Sequence, residues 1–144
     1  MRAPVFRGIW RDDPRARAAY SEGAGIYRIV LRSVAVPPTT QALVDLVRWA
    51  GEHQVPLVPR GAGSGMPGGN VGDGVVVDLT ALDGAPVAVD QVALLATTGA
   101  AVSLGVLAEA AGRVGLRMPV DPSSARWATV GGVVGTNAAP VPGR

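Results

Sequence analysis

The sequence predicts a mixed α+β domain with long loops, and three observations favour this fold class. Short apolar runs with strand character alternate with segments in which apolar residues recur at helical spacing. The chain has 20 glycines and 12 prolines, which supply many turns, and 48% of its residues are hydrophobic with few aromatics. Its 144 residues are the length of one domain with a sizeable core.

The first half of the chain predicts a strand, a helix and a second strand. Residues 34–36 form a short apolar run before two prolines, and Thr39 can cap the helix that follows. Residues 55–59 predict the next strand, so the three elements make a βαβ unit with a parallel pair of strands. The predicted apolar stripe of the helix comprises Leu43, Val44, Leu46, Val47 and Ala50.

The second half predicts a third strand over residues 75–79 and a fourth over residues 92–96. Ser103 can cap a helix that runs to about Val114 and ends at Gly115. Its predicted face comprises Leu104, Leu107, Ala110 and Ala111. Prolines make residues 118–124 a loop, and residues 1–33 form a charged lead with a turn and a glycine-broken loop, to which no strand or helix is assigned.

Composition excludes several classes of function. The 13 basic residues are all Arg and stand against 11 acidic ones, so the net charge of +2 gives little support for a nucleic-acid partner. The absence of Cys excludes disulfides, thiolate metal sites and cysteinyl-linked cofactors. The N-terminus lacks the apolar core of a signal peptide, and polar residues interrupt the uncharged residues 91–108. We expect a cytoplasmic protein with no membrane span and no nucleic-acid partner.

The stretch PRGAGSGMPGGN, residues 59–70, follows an apolar VPLV and predicts a phosphate-binding loop. Seven of the 20 glycines lie between residues 61 and 74, where bare backbone lets an anion approach successive N–H groups closely. The string from Gly63 to Gly68 matches G-x-G-x-x-G, but Met66 and Pro67 with the next two glycines cannot begin the helix that a dinucleotide-binding Rossmann unit requires. A chain without Lys has no Walker A loop. The loop is therefore predicted to lead to a strand.

Three segments in the right order resemble a known family. PRGAGSG after VPLV, followed by the strand GVVVDLT, resembles the first flavin-binding segment of FAD-binding PCMH-type domains of the vanillyl-alcohol-oxidase superfamily. GLRMPVDPSSARWATVGGVVGTN and YSEGAGIYRIV resemble two further segments of its FAD-linked oxidases, whose members include glycolate oxidase, D-lactate dehydrogenase and D-2-hydroxyglutarate dehydrogenase relatives. The family tends to have Asp and Ser where this chain has Gly23 and Gly25.

The resemblance implies a set of FAD-binding residues. Backbone of the first segment would wrap the pyrophosphate, and the later segment would line the other side of the diphosphate, the ribityl chain and the flavin. Some branches attach the flavin through a His where this chain has Ser64, so we expect non-covalent FAD. The implied cofactor-binding residues are Arg60, Gly61, Ala62, Gly63, Ser64, Gly65, Asp121, Pro122, Ser123, Ser124, Thr129, Val130, Gly131, Gly132 and Asn137.

Other roles are open for several of these side chains. Arg60 can instead pair with a carboxylate such as Asp78, and the turn at residues 121–124 is ordinary turn chemistry when taken alone. His53, the single His, is interpreted as a helix-end residue and receives no catalytic role. Trp49 and Trp127 are expected to pack against neighbouring elements. The sequence offers no catalytic residue and no metal site.

The family pattern continues beyond the point where this sequence ends. The resemblance implies the first lobe and the start of the second lobe of a flavin domain truncated at its C-terminus, with a lead over residues 1–33 and the FAD-binding domain over residues 34–144. The expected function is FAD binding within an oxidoreductase that transfers a hydride from a 2-hydroxy acid to flavin. A separate chain is the expected source of the rest of the flavin domain and of the substrate domain. The alternatives are a non-catalytic nucleotide- or phosphate-binding module, a mononucleotide binder of Rossmann topology, and a truncated remnant.

Overall fold

The computed structural model describes residues 3–138, and the chain forms two compact units, Met1–Asp83 and Gly84–Arg144. The first unit contains, in order, β1 (Ile9–Arg11), α1 (Pro14–Tyr20), β2 (Ser33–Val36), α2 (Thr40–Glu52), β3 (Leu57–Arg60) and β4 (Val75–Asp78). The second contains β5 (Ala88–Asp90), β6 (Leu95–Thr97), α3 (Leu104–Gly112) and α4 (Val130–Gly135). The mixed α/β class is confirmed.

The first unit is built on a four-stranded sheet of order β1-β2-β4-β3. Strands β2 and β3 both run parallel to β4, and β1 pairs with β2 in the antiparallel sense. The predicted βαβ unit exists, but its two strands are not neighbours, because β4 lies between them. All four residues of β4 are buried. Its run of three valines is typical of a strand that is covered on both faces at the centre of a parallel sheet.

Helix α2 begins where the sequence predicts. The Thr39 hydroxyl accepts a hydrogen bond from the Ala42 N–H at 3.1 Å, which satisfies one of the free donors of the first turn. Its buried residues are Ala42, Leu46 and Ala50, whereas Val47 is half exposed and does not belong to the buried stripe. Leu46 packs in the core with Ala35, Val75 and Val77.

The lead carries regular structure that the sequence did not reveal. Strand β1 has only three residues, one of them partly buried, which is too short for a recognisable pattern. Helix α1 begins after Asp13, whose carboxylate accepts from the Ala16 N–H at 3.1 Å. The boundary at residue 33 stays a prediction, although β1 belongs to the same sheet as β2.

The second unit has a two-stranded antiparallel sheet and two helices. The strand predicted over residues 92–96 exists only in its last part, as β6 from Leu95. The chain turns before it: Asp90 accepts hydrogen bonds from the N–H groups of Val92 and Ala93, and Leu94 has a φ of 54°. Helix α3 follows its predicted cap, Ser103, and Gly115 ends the turn beyond it with a φ of 73°. The predicted loop at residues 118–124 contains no strand or helix. Within residues 3–138, no helix is long and apolar enough to cross a membrane.

Candidate functional site

The glycine-rich stretch connects β3 directly to β4 and contains turns but no helix. This confirms that the loop leads to a strand and not to the helix of a Rossmann unit. Gly63 has a φ of 72°, a conformation that costs an L residue about 1–2 kcal/mol. The loop therefore needs glycine at this position for backbone reasons.

The 61–65 loop, defined as Gly61 to Gly65, has free backbone donors. None of its five N–H groups donates a hydrogen bond to another residue in the described part of the chain. Consecutive N–H groups without protein partners are the donors that anion-binding nests use. The loop backbone therefore offers donors of the kind that a phosphate group requires, and its role in binding stays a prediction.

The carbonyl groups of this region are held by the protein instead. The Ala24 N–H donates to the Gly63 carbonyl at 3.1 Å, and the Asn70 side-chain amide donates to the Gly65 carbonyl at 3.3 Å. The Asn70 carbonyl accepts from Arg60 at 3.4 Å. The carbonyl oxygens of Gly63, Gly65 and Asn70 therefore accept hydrogen bonds from the protein, whereas the N–H groups of residues 61–65 have no acceptor among the described residues.

The side chain of Arg60 organises this region. Its Nη1 donates to the carbonyl of Glu22 at 2.8 Å and to that of Tyr20 at 3.4 Å, and its guanidinium lies 5.3 Å from the centre of the Tyr20 ring. A Cβ added at Gly63 would lie 2.5 Å from Arg60 Nη2, so the guanidinium also packs on the loop backbone.

The alternative ion pair between Arg60 and Asp78 is wrong. Among the ion pairs within residues 3–138, none joins these two side chains. The Asp78 carboxylate instead accepts from the Tyr20 hydroxyl at 2.5 Å and from the hydroxyl and N–H of Thr80 at 2.6 and 2.9 Å. Burial, followed by the hydrogen bond to Asp78, raises the pKa of Tyr20 to about 12.

The 20–27 segment, defined as Tyr20 to Tyr27, packs on the residues that follow the 61–65 loop. A Cβ at Gly25 would collide with the backbone carbonyl of Met66, and one at Gly23 would lie 2.6 Å from the Asn70 side-chain oxygen. The two glycines by which this chain departs from the family pattern therefore allow close approach of two backbone segments. The sequence identifies both glycines as departures from the family pattern but does not indicate this packing role. It also does not indicate that Tyr20 and Asn70 contact the residues of the site.

The later segment lies in the second unit. Asp121 lines a cavity of about 200 Å³ with Leu104, Ala108 and Met118 among others. The hydroxyls of Ser123 and Ser124 form no hydrogen bond with any described residue. Asn137, just after α4, has a φ of 48°.

The backbone donors at the start of α4 are already used. The N–H groups of Val130 and Gly131 donate to the carbonyls of Val102 and Ala100 at 2.8 and 2.9 Å, and the Gly132 N–H donates to the Thr129 hydroxyl at 3.2 Å. Any cofactor contact by Val130, Gly131 or Gly132 must therefore use something other than these N–H groups. The lining role of the segment stays a prediction.

The predicted site residues fall into two groups. Those from Arg60 to Gly65 lie in the first unit, and those from Asp121 to Asn137 lie in the second. His53 ends α2, where its ring stacks on Trp49 at 5.3 Å and lies 2.8 Å from the Trp49 carbonyl, as expected of a helix-end residue. Trp127 is 64% exposed beneath the Arg126 guanidinium, so its predicted packing is wrong. Residues 3–138 contain no cluster of His, Cys, Asp and Glu that could hold a metal ion.

Comparison with known proteins decides the family. The FAD binding domain family matches residues 31–140, a range that includes both groups of predicted site residues. The chain belongs to this family. FAD is thus the cofactor of the domain.

Two relatives and one solved structure illustrate the similarity. D-lactate dehydrogenase of Archaeoglobus fulgidus is 36% identical over 107 residues, which cover 73% of this chain and 24% of that protein. Glycolate oxidase subunit GlcD of Bacillus subtilis is 32% identical over 129 residues, covering 88% of this chain and 27% of the relative. An alkyldihydroxyacetonephosphate synthase structure, 21% identical, matches 91% of this FAD-binding chain and 29% of its own with a TM-score of 0.74, which shows the shared fold. This chain spans about a quarter of the length of these relatives.

Proposed function

We propose that this chain binds the pyrophosphate of non-covalent FAD through its 61–65 loop, as part of an oxidoreductase that oxidises a 2-hydroxy acid. The observation that carries the proposal is the run of five backbone N–H groups without a protein partner. A pyrophosphate is anionic, and hydrogen bonds to an ionised acceptor are about twice as strong as neutral ones. A loop that keeps these donors free is suited to such a ligand.

In the second unit, Asp121, Ser123 and Ser124 are proposed to contact the cofactor through their side chains. Ser123 and Ser124 have hydroxyls free to donate, and Asp121 lines a cavity in the same unit. Ser64 stands where some family branches have a His attached to flavin, and the chain has no Cys, which supports a flavin held without a covalent bond. When bound, the flavin supplies the electron-accepting chemistry.

The 2-hydroxy acid is proposed from the relatives. Their names refer to D-lactate and glycolate, both 2-hydroxy acids. Within residues 3–138 we assign no general base, so substrate binding and proton removal are proposed to come from protein beyond this sequence, either a continuation of the chain or a separate chain. This chain covers about a quarter of the relatives' length, which supports the proposal that other protein binds the substrate and removes its proton. We also propose a cytoplasmic location.

Titration with FAD tests the binding part of the proposal. The wild-type chain is expected to shift the flavin absorbance band and quench its fluorescence at micromolar concentrations, which corresponds to about −8 kcal/mol. ADP, which carries the pyrophosphate without flavin, should compete, whereas riboflavin, which lacks phosphate, should compete weakly. Equal competition by ADP and FAD would favour the non-catalytic nucleotide-binding alternative.

A pair of glycine variants locates the site. Gly63→Ala places a side chain in a positive-φ conformation and against the Arg60 guanidinium, so FAD binding is expected to weaken about tenfold or more. Gly69→Ala is the matched control, since no atom lies within 4 Å of its added Cβ. Unchanged FAD affinity in Gly63→Ala would contradict binding at this loop.

A further inference from the structure

We propose that Arg60 is a positioning residue, which together with the 20–27 segment holds the 61–65 loop in its anion-binding conformation without touching the phosphate itself. The inference rests on the proposed function, because it concerns how the same loop is prepared for FAD. It assigns the lead of the chain a part in cofactor binding, through hydrogen bonds between segments about 40 residues apart.

The hydrogen bonds of Arg60 connect two backbone segments. Nη1 is directed at three backbone carbonyls, those of Tyr20, Glu22 and Asn70. The first two belong to the 20–27 segment, and the third follows the loop. One guanidinium therefore joins the two segments, a task that suits its planar set of donors.

The rest of the guanidinium is packed against the loop. Its Nη2, Cζ and Nε would lie 2.5 to 2.9 Å from a Cβ at Gly63. A second contact is with the Tyr20 ring, at 5.3 Å from Cζ to the ring centre. Arg60 thus contacts both the Tyr20 ring and the backbone of Gly63, while its Nη1 donates to carbonyl oxygens.

The 20–27 segment adds contacts of its own. The Ala24 N–H donates to the Gly63 carbonyl, and Gly25 lies against the Met66 carbonyl. The Tyr27 ring fills the space where Gly68, with a φ of 88°, would carry a side chain. Because these contacts fix carbonyl groups and backbone angles, the N–H groups of the loop are ordered before a ligand arrives, which lowers the entropy cost of binding.

Two substitutions of Arg60 separate positioning from direct phosphate contact. Lys keeps the positive charge and binds phosphate well, but its ammonium group lacks the planar set of donors that reaches three carbonyls while contacting the Tyr20 ring and Gly63. Met removes the charge. If Arg60 positions the loop, Arg60→Lys and Arg60→Met weaken FAD binding alike, by about tenfold or more. The control Arg48→Lys, at an exposed site on α2, should leave binding unchanged.

Hydrogen exchange without ligand supplies a second readout. In both Arg60 variants the Ala24 amide is expected to exchange faster, because the Gly63 carbonyl that it contacts loses its support. A general loss of stability would instead raise exchange throughout the first unit, including β4. Affinity is measured at a temperature at which circular dichroism shows every variant to be folded.

Gly25→Ala tests the segment without altering Arg60. Its Cβ would collide with the Met66 carbonyl, so FAD affinity should fall about tenfold, whereas Gly69→Ala should retain it. If the Arg60 variants do not fold, this pair still tests the role of the 20–27 segment.

The outcomes are distinguishable. A wild-type chain that fails to bind FAD overturns the proposed function and, with it, any role of Arg60 toward the cofactor. A wild-type chain that binds FAD, with Arg60→Lys near wild-type affinity and Arg60→Met much weaker, overturns the positioning role alone. Normal affinity in Gly25→Ala overturns the role of the 20–27 segment.

Discussion

At the residue scale, Tyr20 connects the end of α1 to the buried end of β4. Its hydroxyl donates to Asp78, a carboxylate that is only 9% exposed and that otherwise depends on Thr80. Tyr20→Phe leaves one carboxylate oxygen without this donor, so we expect the free energy of unfolding to fall by about 1–3 kcal/mol in a urea titration. Tyr27→Phe is the matched control, since the Tyr27 ring is 49% exposed and its hydroxyl has no partner within residues 3–138. Equal effects of the two substitutions would contradict the assignment.

The raised pKa of Tyr20 makes stability depend on alkaline pH. Burial, and next the hydrogen bond to Asp78, raise the pKa of Tyr20 from 10.0 to about 12. Between these values the unfolded chain loses the phenolic proton and the folded chain keeps it, so stability falls as pH rises through that window and is unaffected below it. Urea titrations across this range should show a steeper decline for wild type than for Tyr20→Phe. If the free energy of unfolding declined equally in the two proteins, folding would not raise the pKa of Tyr20.

Among the elements, β4 and β6 differ most in their surroundings. Strand β4 has a neighbour on each side and is buried along its whole length, whereas β6 belongs to a two-stranded sheet and all three of its residues are exposed. Isolated two-stranded sheets are marginally stable. Hydrogen exchange should therefore be slowest at the amides of β4 and fast at those of β6. Comparable protection in the two strands would indicate that β6 is covered in solution.

The elements that the sequence predicted are those with strong local signals. Thr39 and Ser103 marked the starts of α2 and α3 because a cap is a local hydrogen bond, and three consecutive valines marked β4. The turn after β5 was missed because Leu94 adopts a left-handed conformation that an apolar residue rarely takes. The position of β4 between β2 and β3 follows from pairing across the sheet, which no local pattern contains.

In the candidate site, too, local features were predictable from the sequence and long-range contacts were not. Concentrated glycines identified the 61–65 loop, because a backbone need leaves a compositional signal. The contacts of Arg60 with Tyr20 and Glu22 bridge 40 and 38 residues, and the sequence gives no indication of them. Gly23 and Gly25 were visible as departures from the family, and their meaning emerged only from what lies opposite them.

At the scale of the whole molecule, the second unit exposes several apolar residues. Val92, Leu94 and Leu95, at and beside the turn between β5 and β6, are 96%, 70% and 67% exposed. Apolar clusters of this kind commonly mark interaction surfaces. If these residues form an association surface, replacing Leu95 with Lys should reduce concentration-dependent association of the chain in sedimentation experiments. Unchanged association would show that Leu95 is not part of such a surface.

The central claim is that the 61–65 loop binds the FAD pyrophosphate with its free backbone N–H groups. The most direct measurement is the amide spectrum of the isotope-labelled chain by nuclear magnetic resonance, recorded while FAD is added. The amides of Gly61 to Gly65 should show the largest shifts, and those of Val130, Gly131 and Gly132, which already donate to protein oxygens, should shift less. FAD binding that leaves the amides of Gly61 to Gly65 unmoved would contradict the account.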